Sequence, residues 1–192
     1  MDILEQIKEY ATAAHGDQKR KYRDELYINH PIRVSEHCQR HVNNLPIAAA
    51  ALLHDVLEDT DIKEEEMEVF LQRVMPAHAA HTLRLVKDLT DVYTHKAYPL
   101  LNRRRRKEKE AERLAATHPD AQTIKYADII DNSQDIVGSG DDFSQKFLQE
   151  CKTVLKKIPK GNEVLYKEAV EAVERGLKSW RQTSPTPPRE GL

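Results

Sequence analysis

The spacing of apolar residues is the feature that most narrows the folds open to this chain of 192 residues. Apolar side chains recur at intervals of three and four residues in most segments, as at Leu165, Ala169, Val173 and Leu177. Such spacing aligns them along one face of a helix. No run alternates apolar and polar residues over a length typical of a strand. The pattern therefore predicts an all-α fold.

Prolines mark the boundaries of these periodic segments, because proline is tolerated in the first turn of a helix but not in its interior. Two segments without a helical stripe, 16–29 and 90–98, are predicted to be loops. We expect eight or nine helices within one domain, residues 1–182, followed by a flexible proline-rich tail, residues 183–192. The predicted helices cover residues 2–15, 31–43, 46–58, 63–75, 77–90, 97–116, 119–137, 142–158 and 162–181.

Composition excludes several classes of function. A formal net charge of −2 provides no global basic field, so no nucleic-acid partner is expected. Cys38 and Cys151 form no CxxC pair, which argues against a disulfide scaffold or a zinc ribbon and fits a reducing compartment. The N-terminus lacks the pattern of a signal peptide, and no apolar run approaches the ~20 residues that span a bilayer. We therefore predict a cytoplasmic protein without a membrane partner; a homo-oligomer is compatible with the sequence.

A cluster of polar residues follows six apolar ones at positions 48–53, where His54, Asp55, Glu58 and Asp59 arrive together. Residues three and four apart share one face of a helix, so Asp55 is predicted to lie beside Glu58 and Asp59. Crowded carboxylates repel each other unless water screens them or a cation binds them. A solvated, charged helix end is the structural alternative.

Two further residues suggest the cation. His30 stands at the start of a predicted helix, and Asp128 interrupts an otherwise apolar helix face. Either residue alone is commonly structural, but the order His30, His54, Asp55, Asp128 is harder to explain that way.

Four motifs in this order resemble the HD superfamily of metal-dependent phosphohydrolases. They are HGDQKRK from His15, YINHP from Tyr27, ALLHDVLEDT from Ala51 and KYADIIDN from Lys125. Over about residues 5–137 they are similar to the hydrolase domain of RelA/SpoT-type alarmone enzymes. Because the chain is too short for the other domains of those enzymes, it resembles the stand-alone small alarmone hydrolases.

The resemblance implies a divalent ion, usually manganese, held by His30, His54, Asp55 and Asp128. Two imidazoles and two carboxylates without thiolate suit Mn²⁺ or a related ion. The resemblance also assigns Glu58 and Asp59 as the catalytic pair that positions and deprotonates the attacking water. The implied reaction removes the 3′-pyrophosphate of guanosine tetra- or pentaphosphate, (p)ppGpp, and yields GDP or GTP with pyrophosphate.

The resemblance assigns substrate binding to Arg20, Lys21 and Asn132. A solvated basic loop is the structural alternative for the first two. The basic run at 103–107 opens a highly charged helix, which is either a solvated surface with intrahelical ion pairs or a rim that attracts a polyphosphate. Lys96 and Tyr98 would belong to that rim.

The sequence departs from the family pattern after Asp128, where Asp131 adds a negative charge and Gln134 replaces an expected arginine. These changes motivate an alternative substrate, with the chain acting as an NADPH or nucleotide phosphatase. A non-enzymatic alarmone sensor is a second alternative, against which Glu58 and Asp59 argue. A purely structural helical protein is the third, and it predicts no metal binding.

Overall fold

The computed structural model of the chain describes residues 2–136 and 142–183. Within these residues the chain forms nine helices of nine or more residues, one helix of four residues, and no strand beyond an isolated bridge between Lys19 and Leu26. The predicted all-α fold is confirmed. The helices are α1 (Ile3–His15), α2 (Asn29–His41), α3 (Leu45–Leu53), α4 (Val56–Asp59), α5 (Glu64–Val74), α6 (Ala79–Leu89), α7 (Arg103–Ala115), α8 (Pro119–Ile136), α9 (Asp142–Lys157) and α10 (Glu163–Thr183).

Thr183 ends α10, and the rest of the predicted tail, residues 184–192, lies outside the described residues. Among the described helices, none combines the length and the apolar character required to cross a bilayer.

Helix α8 joins two hydrophobic clusters. The first contains buried residues of α1, α2, α3, α5 and α6, and α8 adds Ile124 and Ala127 to it. The second contains buried residues of α9 and α10, to which α8 adds Tyr126 and Ile129. A helix with apolar contacts on opposite faces is buried along its length. Any charged side chain of α8 that faces the protein must therefore find a partner there.

The single helix predicted for residues 46–58 is wrong, because the chain breaks between α3 and α4. Asn44 caps the start of α3 by accepting a hydrogen bond from the amide of Ile47 at 3.1 Å. At the other end, His54 Nδ1 donates to the carbonyl of Ala51 at 2.8 Å. The amide of Asp55 would use that same acceptor in a continuous helix. The break leaves His54 and Asp55 beside each other at one cleft.

The helix predicted for 97–116 begins later, at Arg103. The side chain of Asn102 caps it by accepting from the amide of Arg105 at 3.0 Å. The segment 90–102 before it is a loop, longer than the predicted 90–98. Glu110 of α7 is buried and accepts hydrogen bonds from the amides of Val92 and Tyr93 at 3.1 and 3.0 Å. Helix α7 therefore fixes the start of this loop.

Candidate active site

The four predicted metal ligands meet beside the middle of α8, which contains Asp128. His30 Nε2 lies 3.2 Å from Asp128 Oδ1 and 3.6 Å from Asp55 Oδ2. His54 Nε2 lies 3.1 Å from Asp55 Oδ2 and 3.8 Å from Asp128 Oδ1. Helix α2, the break between α3 and α4, and helix α8 supply these residues from three distant parts of the chain.

Hydrogen bonds fix the orientation of both imidazoles. His30 Nδ1 donates to Asp131 Oδ2 at 2.7 Å, and His54 Nδ1 donates to the carbonyl of Ala51. Because a carboxylate and a carbonyl only accept, both Nδ1 atoms carry the proton. Both buried Nε2 atoms lack a hydrogen-bond partner among the described residues. His30 Nε2 and His54 Nε2 each lie within 3.2 Å of a carboxylate oxygen of Asp128 or Asp55, and two imidazole nitrogens that converge on two carboxylates fit a bound divalent cation.

A second group of metal-ligating side chains, His81, His118 and Asp120, does not meet this test. His81 Nε2 lies 3.0 Å from Asp120 Oδ2, and His118 Nδ1 accepts from the amide of Asp120 at 3.2 Å. The three residues are partly exposed and satisfy one another, so no cation is needed to explain their arrangement.

The carboxylates of the site have partners of their own. Tyr27 Oη donates to Asp55 Oδ2 at 2.7 Å, and Lys125 Nζ donates to Asp128 Oδ2 at 2.6 Å. Burial alone would raise the pKa of Asp128, but the positive charge of Lys125 and contacts with His30 hold that pKa well below its usual range. Asp128 is therefore ionised and available as a ligand at neutral pH.

The residue that departs from the family pattern, Asp131, is buried behind His30. Arg33 donates to both of its oxygens, at 2.6 Å to Oδ1 and 3.1 Å to Oδ2. Burial would raise the pKa of Asp131, but the hydrogen bonds from His30 and Arg33 lower it to about 2. The structure thus corrects the expectation of an added negative charge beside the substrate, because this charge is paired. Gln134 is exposed on the surface of α8.

The predicted catalytic pair lies on α4, next to the ligands. Glu58 is exposed at the rim of the cleft, and its Oε2 accepts from the amide of Asp91 at 3.0 Å. Desolvation of its carboxyl by surrounding protein, followed by the negative charges of Asp91 and Asp55, raises the pKa of Glu58 to about 7. Burial and the charge of Asp55 also raise the pKa of Asp59. A pKa of about 7 suits a carboxylate that takes a proton near neutral pH, as Glu58 would.

A cleft of about 210 Å³ contains the predicted ligands His54, Asp55 and Asp128 together with two lysines, Lys107 and Lys125. The sequence pattern does not predict Lys125 as a site residue, and for Lys107, in the basic run at 103–107, it leaves both interpretations open. Lys125 stands one helical turn before Asp128, a spacing that could have identified it. Both ammonium groups lie where an anionic substrate would approach the metal ligands.

A second cavity of about 260 Å³ adjoins this cleft, and Tyr27 and Asn132 line both. Arg20 is nearly buried here: its Nη2 donates to Asn132 Oδ1 at 2.7 Å and to Asp135 Oδ2 at 2.7 Å. Asn132 Nδ2 in turn donates to Asp128 Oδ1 at 2.5 Å. Asn132 and Arg20 therefore lie next to the predicted ligand Asp128, Lys21 lines the same second cavity, and Arg20 is not a solvated loop residue.

Aromatic rings form the other wall of this second cavity. Lys21 Nζ lies 4.7 Å from the ring centroid of Phe143 and 5.1 Å from that of Tyr22. These two rings are stacked, with centroids 6.2 Å apart. Stacked rings beside an ammonium and a guanidinium can contact a planar base and its phosphates.

The basic run at 103–107 divides between the two interpretations of the sequence. Arg104 and Arg105 are exposed and pair with Glu108 on their own helix at 3.1 Å, as a solvated helix would. Arg103 instead pairs with Glu150 of α9 at 2.8 Å. Lys107 alone of this run lines the metal cleft, where its Nζ lies 2.9 Å from Asp91 Oδ2.

Comparisons with known proteins agree with this geometry. A profile of the HD domain family matches residues 27–133. The guanosine-3′,5′-bis(diphosphate) 3′-pyrophosphohydrolase MESH1 of Mus musculus is 31% identical over 185 residues, which cover 91% of this chain and 95% of that protein. The Homo sapiens protein of the same name is 29% identical, and the alignment covers 91% of this chain and 93% of that protein.

Two solved structures share the fold. One, described as a metazoan ortholog of SpoT that hydrolyses ppGpp and plays a role in starvation responses, is 27% identical with a TM-score of 0.73. The superposition covers 92% of this chain and 97% of that one. The other, lmo0812 from Listeria monocytogenes EGD-e, is 18% identical with a TM-score of 0.59 over 80% of this chain and 98% of that one.

Proposed function

The chain belongs to the HD domain family, and on this premise we propose that it is a metal-dependent hydrolase that removes the 3′-pyrophosphate of (p)ppGpp. The products are GDP or GTP and pyrophosphate. The observation that carries the proposal is the pair of orphaned Nε2 atoms, on His30 and His54, facing Asp55 and Asp128 beside the carboxyl of Glu58. The MESH1 relatives named for this reaction support the choice of substrate.

The donor set suits Mn²⁺, since it combines imidazole with carboxylate and contains no thiolate. His30, His54, Asp55 and Asp128 would hold the ion. When bound, such an ion acidifies water and polarises a phosphoryl oxygen.

The residues of the chain supply the rest of the chemistry. Glu58 and Asp59 would orient the attacking water and accept its proton, and their raised pKa values match that task. Lys125 and Lys107 would bind the pyrophosphate as point charges. Their charges also offset repulsion between an anionic substrate and the carboxylates around it.

Substrate recognition belongs to the second cavity. Arg20 is held rigidly by Asp135 and Asn132, so its guanidinium is oriented before the nucleotide arrives. Lys21 and the rings of Tyr22 and Phe143 offer a charged, aromatic surface for a guanine base. Because Asn132 contacts both Arg20 and Asp128, it would couple the bound nucleotide to the metal site.

The test is hydrolysis of ppGpp by the purified protein in the presence of Mn²⁺, with the products identified. We expect pyrophosphate and GDP, and we expect Glu58→Gln and Asp59→Asn each to lower kcat by about 10²–10⁴-fold while Mn²⁺ still binds. Glu65→Gln, at an exposed carboxylate of α5, is the matched control and should keep full activity. Intact ppGpp after incubation with Mn²⁺ would remove the proposed substrate.

The same assay separates the alternatives. Release of orthophosphate from NADPH or from another nucleotide, with ppGpp left intact, would identify a phosphatase. Binding of ppGpp without turnover, unchanged by Glu58→Gln, would identify a sensor.

A further inference from the structure

Asp131 forms the centre of a network of charged side chains that leads from the buried side of the proposed metal site towards the surface. His30 and Arg33 both donate to it, and its side chain is 1% exposed. Arg33 continues to Glu25, to which its Nη1 and Nη2 donate at 3.0 and 2.8 Å. These contacts therefore connect the proposed metal ligand His30, through Asp131 and Arg33, to Glu25 in the loop before α2.

We infer that Asp131 is a positioning residue that fixes the tautomer and the orientation of His30 for metal binding, and that Arg33 holds Asp131 in place. The inference rests on the metal site of the proposed function. Asp131 accepts from Nδ1 at 2.7 Å, so the neutral imidazole carries its proton on Nδ1 and offers Nε2, the atom that lies 3.2 Å from Asp128 Oδ1, to a cation. A carboxylate behind a ligating histidine also makes its other nitrogen a stronger donor to a cation.

Burying the carboxylate of Asp131 costs free energy, so its contact with His30 needs an explanation beyond chance. A carboxylate that is almost fully buried is unfavourable unless it is paired and hydrogen-bonded. Here three donor atoms, from His30 and Arg33, satisfy both oxygens. His54, by contrast, is oriented by the backbone carbonyl of Ala51, so the two imidazoles are held by different means.

A purely structural role is the competing explanation, in which Asp131 serves only to neutralise Arg33. Two variants separate the roles. Arg33→Met removes the ion pair but keeps the acceptor for His30, whereas Asp131→Leu combined with Arg33→Met removes the acceptor and leaves no unpaired charge from this pair. Asp131→Asn keeps an acceptor oxygen without the negative charge.

The experiment measures the dissociation constant of Mn²⁺ at pH 8 from the electron paramagnetic resonance signal of the free ion. We expect the double variant to bind Mn²⁺ about 10–100-fold more weakly than the wild type. Arg33→Met should bind more tightly than the double variant, and Asp131→Asn should recover part of the loss. At saturating Mn²⁺ the KM for ppGpp should stay within about twofold of wild type, because Asp131 touches the metal ligand and not the substrate cavity.

Asp120→Leu is the matched control for Asp131→Leu, since it removes another aspartate of α8 that contacts a histidine, His81, away from the proposed ligands. It should leave Mn²⁺ binding unchanged. Equal Mn²⁺ affinity in the wild type, Arg33→Met and the double variant would overturn the inference while the proposed function stands. So would equal losses in Arg33→Met and the double variant. A wild type that binds no Mn²⁺ would instead remove the metal site on which both rest.

Discussion

At the scale of single residues, the charged neighbours and the desolvation of each carboxyl group set its pKa. Asp128 and Asp131 stay ionised because positively charged side chains, Lys125 and Arg33, contact them. The pKa of Glu58 is instead raised, because its carboxyl is partly desolvated and has two acidic neighbours. The same side-chain chemistry therefore gives both candidate ligands and a candidate base within one site.

Glu58 leads to a prediction about pH. Its pKa is raised above the ordinary value, so this carboxyl is protonated, and inactive as a base, below about pH 7. The charge of a bound cation lowers that pKa. The rate should therefore rise with pH and become constant at about pH 7 or somewhat below it. Asp91→Asn removes the negative charge that, after desolvation, contributes most to the raised pKa of Glu58, so that pKa should fall.

We expect Asp91→Asn to move the acid limb of the kcat profile down by about half a pH unit to one unit. The backbone amide that donates to Glu58 is unchanged in this variant. Glu112→Gln, at an exposed carboxylate of α7 paired with Lys157, serves as the control and should leave the limb in place. An acid limb equal to that of the wild type in Asp91→Asn would show that Asp91 does not tune the base.

At the scale of elements, the turn between α9 and α10 clamps the start of α8. The amides of Lys160, Gly161 and Asn162 donate to Gln122, Tyr126 and Thr123 at 3.0, 3.1 and 2.9 Å. A Cβ at Gly161 would lie 2.6 Å from Tyr126 Cε2 and 2.8 Å from the amide of Thr123. Only glycine allows this close approach of a turn to a helix.

Gly161→Ala should therefore lower the free energy of unfolding by about 1–3 kcal/mol, since the turn and α8 must move apart. Urea denaturation followed by circular dichroism measures the change. Lys160→Ala, one residue earlier and exposed, should stay within about 0.5 kcal/mol of the wild type. Equal stability of Gly161→Ala and the wild type would mean that the turn is free to shift.

The sequence predicted the helices better than the breaks and loops between them. Apolar periodicity located the long helices because it depends only on neighbours along the chain. The break at His54 and Asp55 contains no glycine or proline, and it depends on a side-chain hydrogen bond to Ala51 that periodicity does not encode. The four candidate ligands were predicted from the order of the motifs, and the structure places their side chains close together; their role as ligands stays a prediction.

The partners of the ligands were harder to predict. Arg33 and Asp131 are 98 residues apart, so local spacing says nothing of their pairing. Seen alone in the sequence, Asp131 suggested a weaker site for an anion. Its contacts with Arg33 and His30 change that interpretation, because they show that the negative charge of Asp131 is paired with these two side chains and does not face the substrate cavity.

At the scale of the whole molecule, we expect metal binding to be linked to folding, since the proposed ligands come from α2, the break after α3, and α8. A cation that binds only the folded chain stabilises it by mass action, by about 2.7 kcal/mol at a concentration one hundred times Kd. For a chain of this size that should raise Tm by about 5–10 °C.

We expect this rise on adding Mn²⁺ to protein stripped with a chelator, as measured by thermal unfolding. His54→Ala should abolish it. His81→Ala, in the second His–Asp group, should retain the full shift. If His81→Ala lost the shift and His54→Ala kept it, the ion would have to bind at the other group.

The position of α8 between two hydrophobic clusters also bears on how this family could have diversified. The profile match ends at residue 133, before α9 and α10 begin, yet Tyr126 and Ile129 within the match are buried in the cluster that those helices complete. Residues 27–133, which match the family profile, would therefore leave an apolar face of α8 uncovered if recombination moved them alone into another protein. A new host protein would have to inherit the C-terminal helices too, or evolve another covering for that face of α8.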